Sequence, residues 1–163
     1  FQVIADHVKA AVFIIDTGVT PSNKEHGYVL RRILRRSAVK MRTLGGGLNG
    51  KDLDGVIDAV FQVYGGTYLD IAKRRQVKKI ASEEVDRFAK TLERGAKEIE
   101  KISKIDGKVA FYLYQTYGFP FEILAELFSK KGLKVDRREF DMEFEKHKRT
   151  SREKSEKMFK KIA

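Results

Sequence analysis

Apolar residues recur at steps of three and four along almost the whole chain, a spacing that predicts helices rather than strands. Ile4, Val8, Ala11, Val12 and Ile15, with His7 among them, share one face and predict a helix over Gln2–Asp16, stopped by Gly18. Ser22 followed three residues later by Glu25 is a capping-box pattern. It predicts a second helix over Asn23–Leu44, ended by Gly45-Gly46-Gly47 and a loop to about Gly50. A shorter helix is expected over Leu53–Tyr64, broken by Gly65-Gly66, and a long one over Thr67–Ser103. In the long helix Val85, Phe88, Leu92, Gly95, Ile99 and Ile102 form a coiled-coil-like seam, and Gly95 on that seam predicts a close helix crossing. Asp106-Gly107 is the next break. Helices over Lys108–Tyr117 and Phe121–Lys131 flank Gly118-Phe119-Pro120, and Gly132 stops the second. Asp136 with Glu139 repeats the capping pattern and opens a charged helix to about Lys161. Its apolar positions Phe140, Phe144 and Met158 are sparse and call for a packing neighbour. The expected fold is all-α, a multihelical bundle with one long coiled-coil-like helix. Residues 1–105, holding an arginine-rich helix, form one expected subdomain and residues 106–163 a second helical one.

Composition adds a partner class to this picture. The chain has 163 residues, 42% of them hydrophobic, enough to bury a core. Lysine and arginine number 34 against 23 acidic residues, a net charge of +11. A domain this basic attracts polyanions, nucleic acid first and an anionic membrane surface second. Cysteine is absent, which excludes disulfides and thiolate metal sites and is compatible with the cytosol. The apolar stretch Ala10–Ile15 lies between Lys9 and Asp16 and is far shorter than a membrane span. No signal peptide is visible, and the opening Phe1 in place of methionine points to a piece of a longer protein.

The charge is most organised on the second helix. At 100° per residue, Arg31, Arg35, Arg32 and Arg36 fall at about 0°, 40°, 100° and 140°, with Arg42 near 20° and Tyr28 near 60°. Val29, Leu30, Ile33, Leu34, Met41 and Leu44 occupy the other side, and Val39 is the exception on the arginine side. A guanidinium is a planar fork that fits phosphate oxygens with two hydrogen bonds, so such a face suits a nucleic-acid backbone. The competing expectation is that these arginines pair with acids of other helices, such as Glu83, Glu84 or Asp86. Lys73-Arg74-Arg75 with Lys78-Lys79 is a second basic cluster, as compatible with a solvated face as with RNA contact. Lys146, Lys148, Arg149 and Arg152 are interleaved with acids, which favours a solvated face there.

Motifs for chemistry within the chain are absent from the sequence. His7, His26 and His147 fit no metal-ligand spacing, and Gly45-Gly46-Gly47 lacks the Lys-Ser/Thr of a phosphate loop.

Three segments in order resemble the alanyl-tRNA synthetase family. The first is Phe1-Gln2-Val3-Ile4-Ala5-Asp6-His7, continuing through Asp16-Thr17-Gly18-Val19-Thr20-Pro21-Ser22-Asn23 into Gly27-Tyr28-Val29-Leu30-Arg31-Arg32-Ile33-Leu34-Arg35-Arg36. The second is Phe88-Ala89-Lys90-Thr91-Leu92-Glu93-Arg94-Gly95, and the third is Ala110-Phe111-Tyr112-Leu113-Tyr114-Gln115-Thr116-Tyr117-Gly118-Phe119-Pro120. The resemblance implies the helical tRNA-recognition region between a class II catalytic core and an editing domain. Its implied ligand is the acceptor stem of alanine tRNA, read at a G·U wobble pair. Such a pair leaves the guanine 2-amino group unmatched in the shallow RNA minor groove, so its reader needs acceptor atoms. By resemblance Asn23 is one reader, and Arg31, Arg32, Arg35 and Arg36 hold phosphates or the edge of the catalytic domain. Tyr28 lies on the same face. Gln115 stands where the family commonly has Asp, and His26 where Arg is common. The ATP, alanine and zinc sites of the family are implied to lie outside these residues, so no cofactor is expected in this chain. The implied partners are alanine tRNA and the catalytic and editing domains of the same polypeptide, in the cytoplasm and without a membrane. Two other readings compete with this one. One is a structural helical linker with a solvated basic face. The other is a helical DNA-binding module, which the sequence disfavours because the short first helix and turn of a helix-turn-helix are missing.

Overall fold

The computed structural model describes the backbone of residues 1–162 and the side chains of residues 1–150. Among them are seven α-helices: α1 (Gln2–Asp16), α2 (Glu25–Thr43), α3 (Asp54–Tyr64), α4 (Arg74–Glu100), α5 (Gly107–Tyr117), α6 (Phe121–Ser129) and α7 (Arg137–Ile162). Short 3-10 turns at Gly50–Leu53 and Ile71–Lys73 precede α3 and α4. No sheet is present among the described residues; a lone bridge joins Gly65 and Leu69. No described helix is long and apolar enough to cross a membrane. The chain forms two compact units, Phe1–Thr91 and the residues from Leu92 onward, so the division falls inside α4.

The first unit packs α1 against α2 and α3. Ile4, Val8, Ala11, Val12 and Ile15 of α1 meet Leu30, Leu34 and Ala38 of α2, Ile57, Val60 and Phe61 of α3, and Val77, Ala81 and Val85 of α4 in one apolar cluster. Burial of these side chains is the main force holding the unit together.

Helix α2 begins later than the capping pattern predicts. Ser22 Oγ accepts from the Lys24 amide and donates to the Lys24 carbonyl, closing a local turn instead of capping the helix. Lys24 becomes the N-cap, with no side-chain cap bond, and Glu25 follows at a φ of 46°. The long helix is also shorter than expected at its start. After α3 the chain turns through Gly66, and the amides of Tyr68 and Leu69 both return to the Tyr64 carbonyl. Asp70 then accepts from the Ala72 amide and starts the next turn. Asn49 and Asp52 form a capping box on a single 3-10 turn, a feature too short to show in the apolar spacing.

The second unit is organised by aromatic residues. Phe111 of α5 lies against Phe140 and Phe144 of α7, and Phe121 of α6 also meets Phe140. These contacts provide the neighbour that sparse Phe140 and Phe144 call for; Met158 lies outside the residues whose side chains are described. Asp136 accepts from the amides of Arg138 and Glu139, but Glu139 does not complete a capping box. Its carboxylate accepts instead from the Gly107 amide at the start of α5. Lys131 Nζ donates to the carbonyls of Ile99, Glu100 and Ile102 at 2.5–2.9 Å, satisfying acceptors left open where α4 ends.

Val85, Phe88, Leu92 and Ile99 on the predicted seam are buried. Gly95 is explained by a ring rather than by a helix crossing: a Cβ there would collide with the edge of Phe119, which is fully buried. Gly95→Ala is therefore expected to destabilise the protein by about 1–3 kcal/mol through overpacking, read as a lower urea midpoint at unchanged m-value.

Candidate nucleic-acid interface

The arginine-rich face of α2 divides into two parts. Arg31 and Arg35, one turn apart, are about one-fifth exposed and both reach the carboxylate of Glu84 on α4. Arg35 Nε donates to Glu84 Oε1 at 2.8 Å, and its guanidinium lies 4.9 Å from the centre of the Phe88 ring. Arg31 Nε approaches the same oxygen to 3.3 Å without hydrogen-bond geometry. Glu84 itself is 1% exposed. A buried carboxylate needs compensation, and two guanidinium groups provide it.

Arg32 and Arg36, each one residue further round, are exposed and have no ion pair among the described residues. They lie on the side of α2 toward His7 of α1. Burial first, and then the positive charge of Arg36, hold the His7 imidazole below its usual pKa; Arg32 adds to this and Asp6 opposes it.

Asn23 is exposed just ahead of α2. Its Oδ1 accepts from Arg31 Nη1, so a chain of contacts runs from buried Glu84 through Arg31 to the carboxamide. A carbonyl oxygen has two lone pairs, so Oδ1 retains capacity for a second donor. Tyr28 is 45% exposed on the same helix. Arg42 is partly buried and has interactions of its own.

The second basic cluster is largely committed within the first unit. Arg74 Nη2 and Lys78 Nζ each lie 2.6 Å from Asp58 Oδ1. The hydrogen bond from Lys78, with a smaller contribution from Arg74, holds the Asp58 carboxyl below its usual pKa against the opposing effect of burial. Lys73 Nζ donates to the Asp16 carbonyl at 2.7 Å. In the terminal cluster Lys148 pairs with Glu145, and Arg152 lies outside the described side chains.

Gln115 is exposed on α5 in the second unit. Its side-chain nitrogen lies 3.2 Å from Nε2 of His147 on α7. This pairing is not visible in the sequence, because 32 residues separate the two side chains. The place of His7 beside Arg36 is likewise set by the packing of α1 on α2. Glu84 left a trace in the sequence. It sits between Ala81 and Phe88 at steps of three and four, so a carboxylate occupies the buried stripe of α4. Among the described residues no group of three or more His, Asp or Glu side chains is arranged to hold a metal ion.

Comparison with known proteins adds a lineage to this geometry. Residues 1–163 match the family model described as tRNA synthetases class II (A). A protein named alanine–tRNA ligase from Borrelia garinii subsp. bavariensis is 40% identical over 168 residues, covering 98% of this chain and 28% of that relative. Its namesake from Thermotoga sp. strain RQ2 is 44% identical over 156 residues, covering 93% of this chain and 18% of the relative. A third, from Alkaliphilus metalliredigens, is 37% identical over 161 residues with the same coverages. The chain thus spans between 18% and 28% of the length of these curated relatives. With the family model matched from the first residue to the last, this chain belongs to the class II (A) tRNA synthetases, as one region of such an enzyme.

Proposed function

We propose that this chain is the tRNA-recognition region of an alanine–tRNA ligase, that it binds the acceptor stem of alanine tRNA, and that it reads a G·U wobble pair there. The observation that carries the reading is the pair Arg32 and Arg36, exposed and without ion pairs among the described residues, on the helix that Asn23 precedes. Exposed guanidinium groups beside a carboxamide suit a duplex whose backbone must be held while one base pair is inspected. Tyr28, Arg31 and Arg35 complete the proposed contact face of α2, and Gln115 is the proposed reader in the second unit. ATP-dependent aminoacylation, zinc-dependent editing and their sites belong, in this proposal, to parts of a longer cytoplasmic polypeptide outside this chain. Those parts are its other partners.

A second reading has its own support. The Glu84 pairing gives Arg31 and Arg35 a structural role, as a helical linker would require. Binding of this chain to an alanine acceptor-stem minihelix separates the two readings, comparing a stem that has the G·U pair with one that has G·C in its place. RNA recognition predicts tighter binding of the G·U stem, and a ratio of affinities that falls about threefold to tenfold in Asn23→Ala, the worth of one hydrogen bond. A linker predicts equal, weak affinities that the substitution does not change. An undiminished ratio in Asn23→Ala removes Asn23 from the site.

A further inference from the structure

We propose that His147 is a positioning residue that turns the carbonyl oxygen of Gln115, rather than its amine, toward an RNA base. This rests on the reading above that Gln115 contacts the RNA. The geometry begins with the 3.2 Å separation between Gln115 Nε2 and His147 Nε2. With the amide nitrogen as the donor, Nε2 of the ring accepts, an arrangement that requires the imidazole proton on Nδ1. The two ends of a carboxamide diverge from one carbon. With the amine held by the ring, Oε1 is directed away from it and is the end offered to a ligand. The ring is itself located by Phe111, with centroids 5.3 Å apart at an angle of 49°. Phe111 is in turn packed on Phe140 and Phe144. The orientation of the exposed amide is thereby borrowed from the aromatic core of the second unit.

The chemistry of the position gives this contact a purpose. A carboxylate at 115 would accept through either oxygen and need no orienting, whereas a glutamine accepts at one end and donates at the other. A base amino group is met only if the amide is turned the right way. The other tautomer, with the proton on Nε2, reverses the arrangement. The ring then donates from Nε2, the amide must turn over to offer Oε1 to it, and the amine faces outward. The charged and titratable residues near these positions on α5 and α7 can be named. Lys108 is the single charged side chain of α5, about two turns before Gln115, and Tyr114 is a phenol on the same helix. On α7, Glu143 lies one turn before His147, Lys146 and Lys148 flank it, and Lys148 is paired with Glu145. His147 has no ion pair among the described residues.

Two measurements on the full chain test this. Nitrogen-15 NMR of the ring is expected to show the Nδ1–H tautomer at neutral pH. The Gln115 amide signals are expected to shift in His147→Phe, which removes the acceptor and keeps the ring packing. An Nε2–H tautomer, or an amide insensitive to His147, overturns the proposal without reference to RNA. The second measurement is the ratio of affinities for G·U and G·C minihelices. His147→Phe should lower it about threefold to tenfold, the range of one net hydrogen bond, and leave it unchanged in a Gln115→Asp background. An equal loss in both backgrounds marks a merely structural role and overturns the proposal. The expected tautomer and amide shift, together with a ratio of one in every variant, instead overturn the G·U reading on which this rests.

Discussion

Replacing Glu84 by alanine is expected to cost the protein about 3 kcal/mol of stability, the lower end of the range for breaking a buried ion pair. The lower end applies because the two arginines left behind are about one-fifth exposed and recover some hydration. Against a total stability of about 5–15 kcal/mol the loss is large, and urea unfolding would read it as a reduced midpoint at constant slope. Glu84→Gln keeps the shape and one acceptor, so about 1–2 kcal/mol is expected from it, the cost of a weakened charged hydrogen bond. A change below about 0.5 kcal/mol in the alanine variant, the level of an ordinary surface substitution, would refute the account of Glu84 as the anchor of α2 on α4. The same substitution carries a second consequence. Arg31 connects Glu84 to the Asn23 carboxamide, so losing the carboxylate removes the support that orients Asn23. Any G·U preference should then fall along with stability.

The double change Arg32→Ala with Arg36→Ala is expected to weaken binding of both minihelices alike, by about tenfold for each arginine if each contact is worth about 1.4 kcal/mol. Plots of log affinity against log salt should become shallower by about one unit per arginine removed, because each phosphate contact releases counterions when it forms. Stability should change little, since neither side chain is buried or ion-paired among the described residues. The two experiments are complementary. Glu84 and its partners are expected to register mainly in folding, and Arg32 with Arg36 mainly in RNA affinity. An unchanged salt slope in the double variant would exclude these two arginines from a phosphate contact. Arg31→Ala and Arg35→Ala make poorer probes, because each also leaves Glu84 short of a partner.

Much of the fold was legible before any coordinates. The recurrence of Ile4, Val8, Ala11, Val12 and Ile15 marks α1 and its buried face, because an amphipathic helix against a core must repeat its apolar positions at that spacing. Glycine breaks likewise separate the later helices, and Gly118 ends α5 in the left-handed conformation that glycine adopts without strain. Helix starts were less legible. Ser22 and Glu139 both belong to capping patterns, yet Ser22 closes its own turn on Lys24 and Glu139 reaches across to Gly107. A side chain that can bond locally or to a distant amide is assigned by whichever donor the fold brings to it, and spacing along the chain does not contain that information.

The same division runs through the candidate site. Sequence alone placed five arginines on one side of α2 and named Glu84 among their possible partners. It also carried the family resemblance, because short strings of specific residues survive in linear order. Tertiary structure decided which arginines turn inward to Glu84 and which stay exposed. It also put His7 near Arg36 and brought His147 within bonding distance of Gln115. The physical reason is that periodicity reports which face of a helix is apolar, a property of each helix by itself. Charge pairing and amide orientation depend on atoms a few ångströms apart in space, and only packing one helix on another sets those distances.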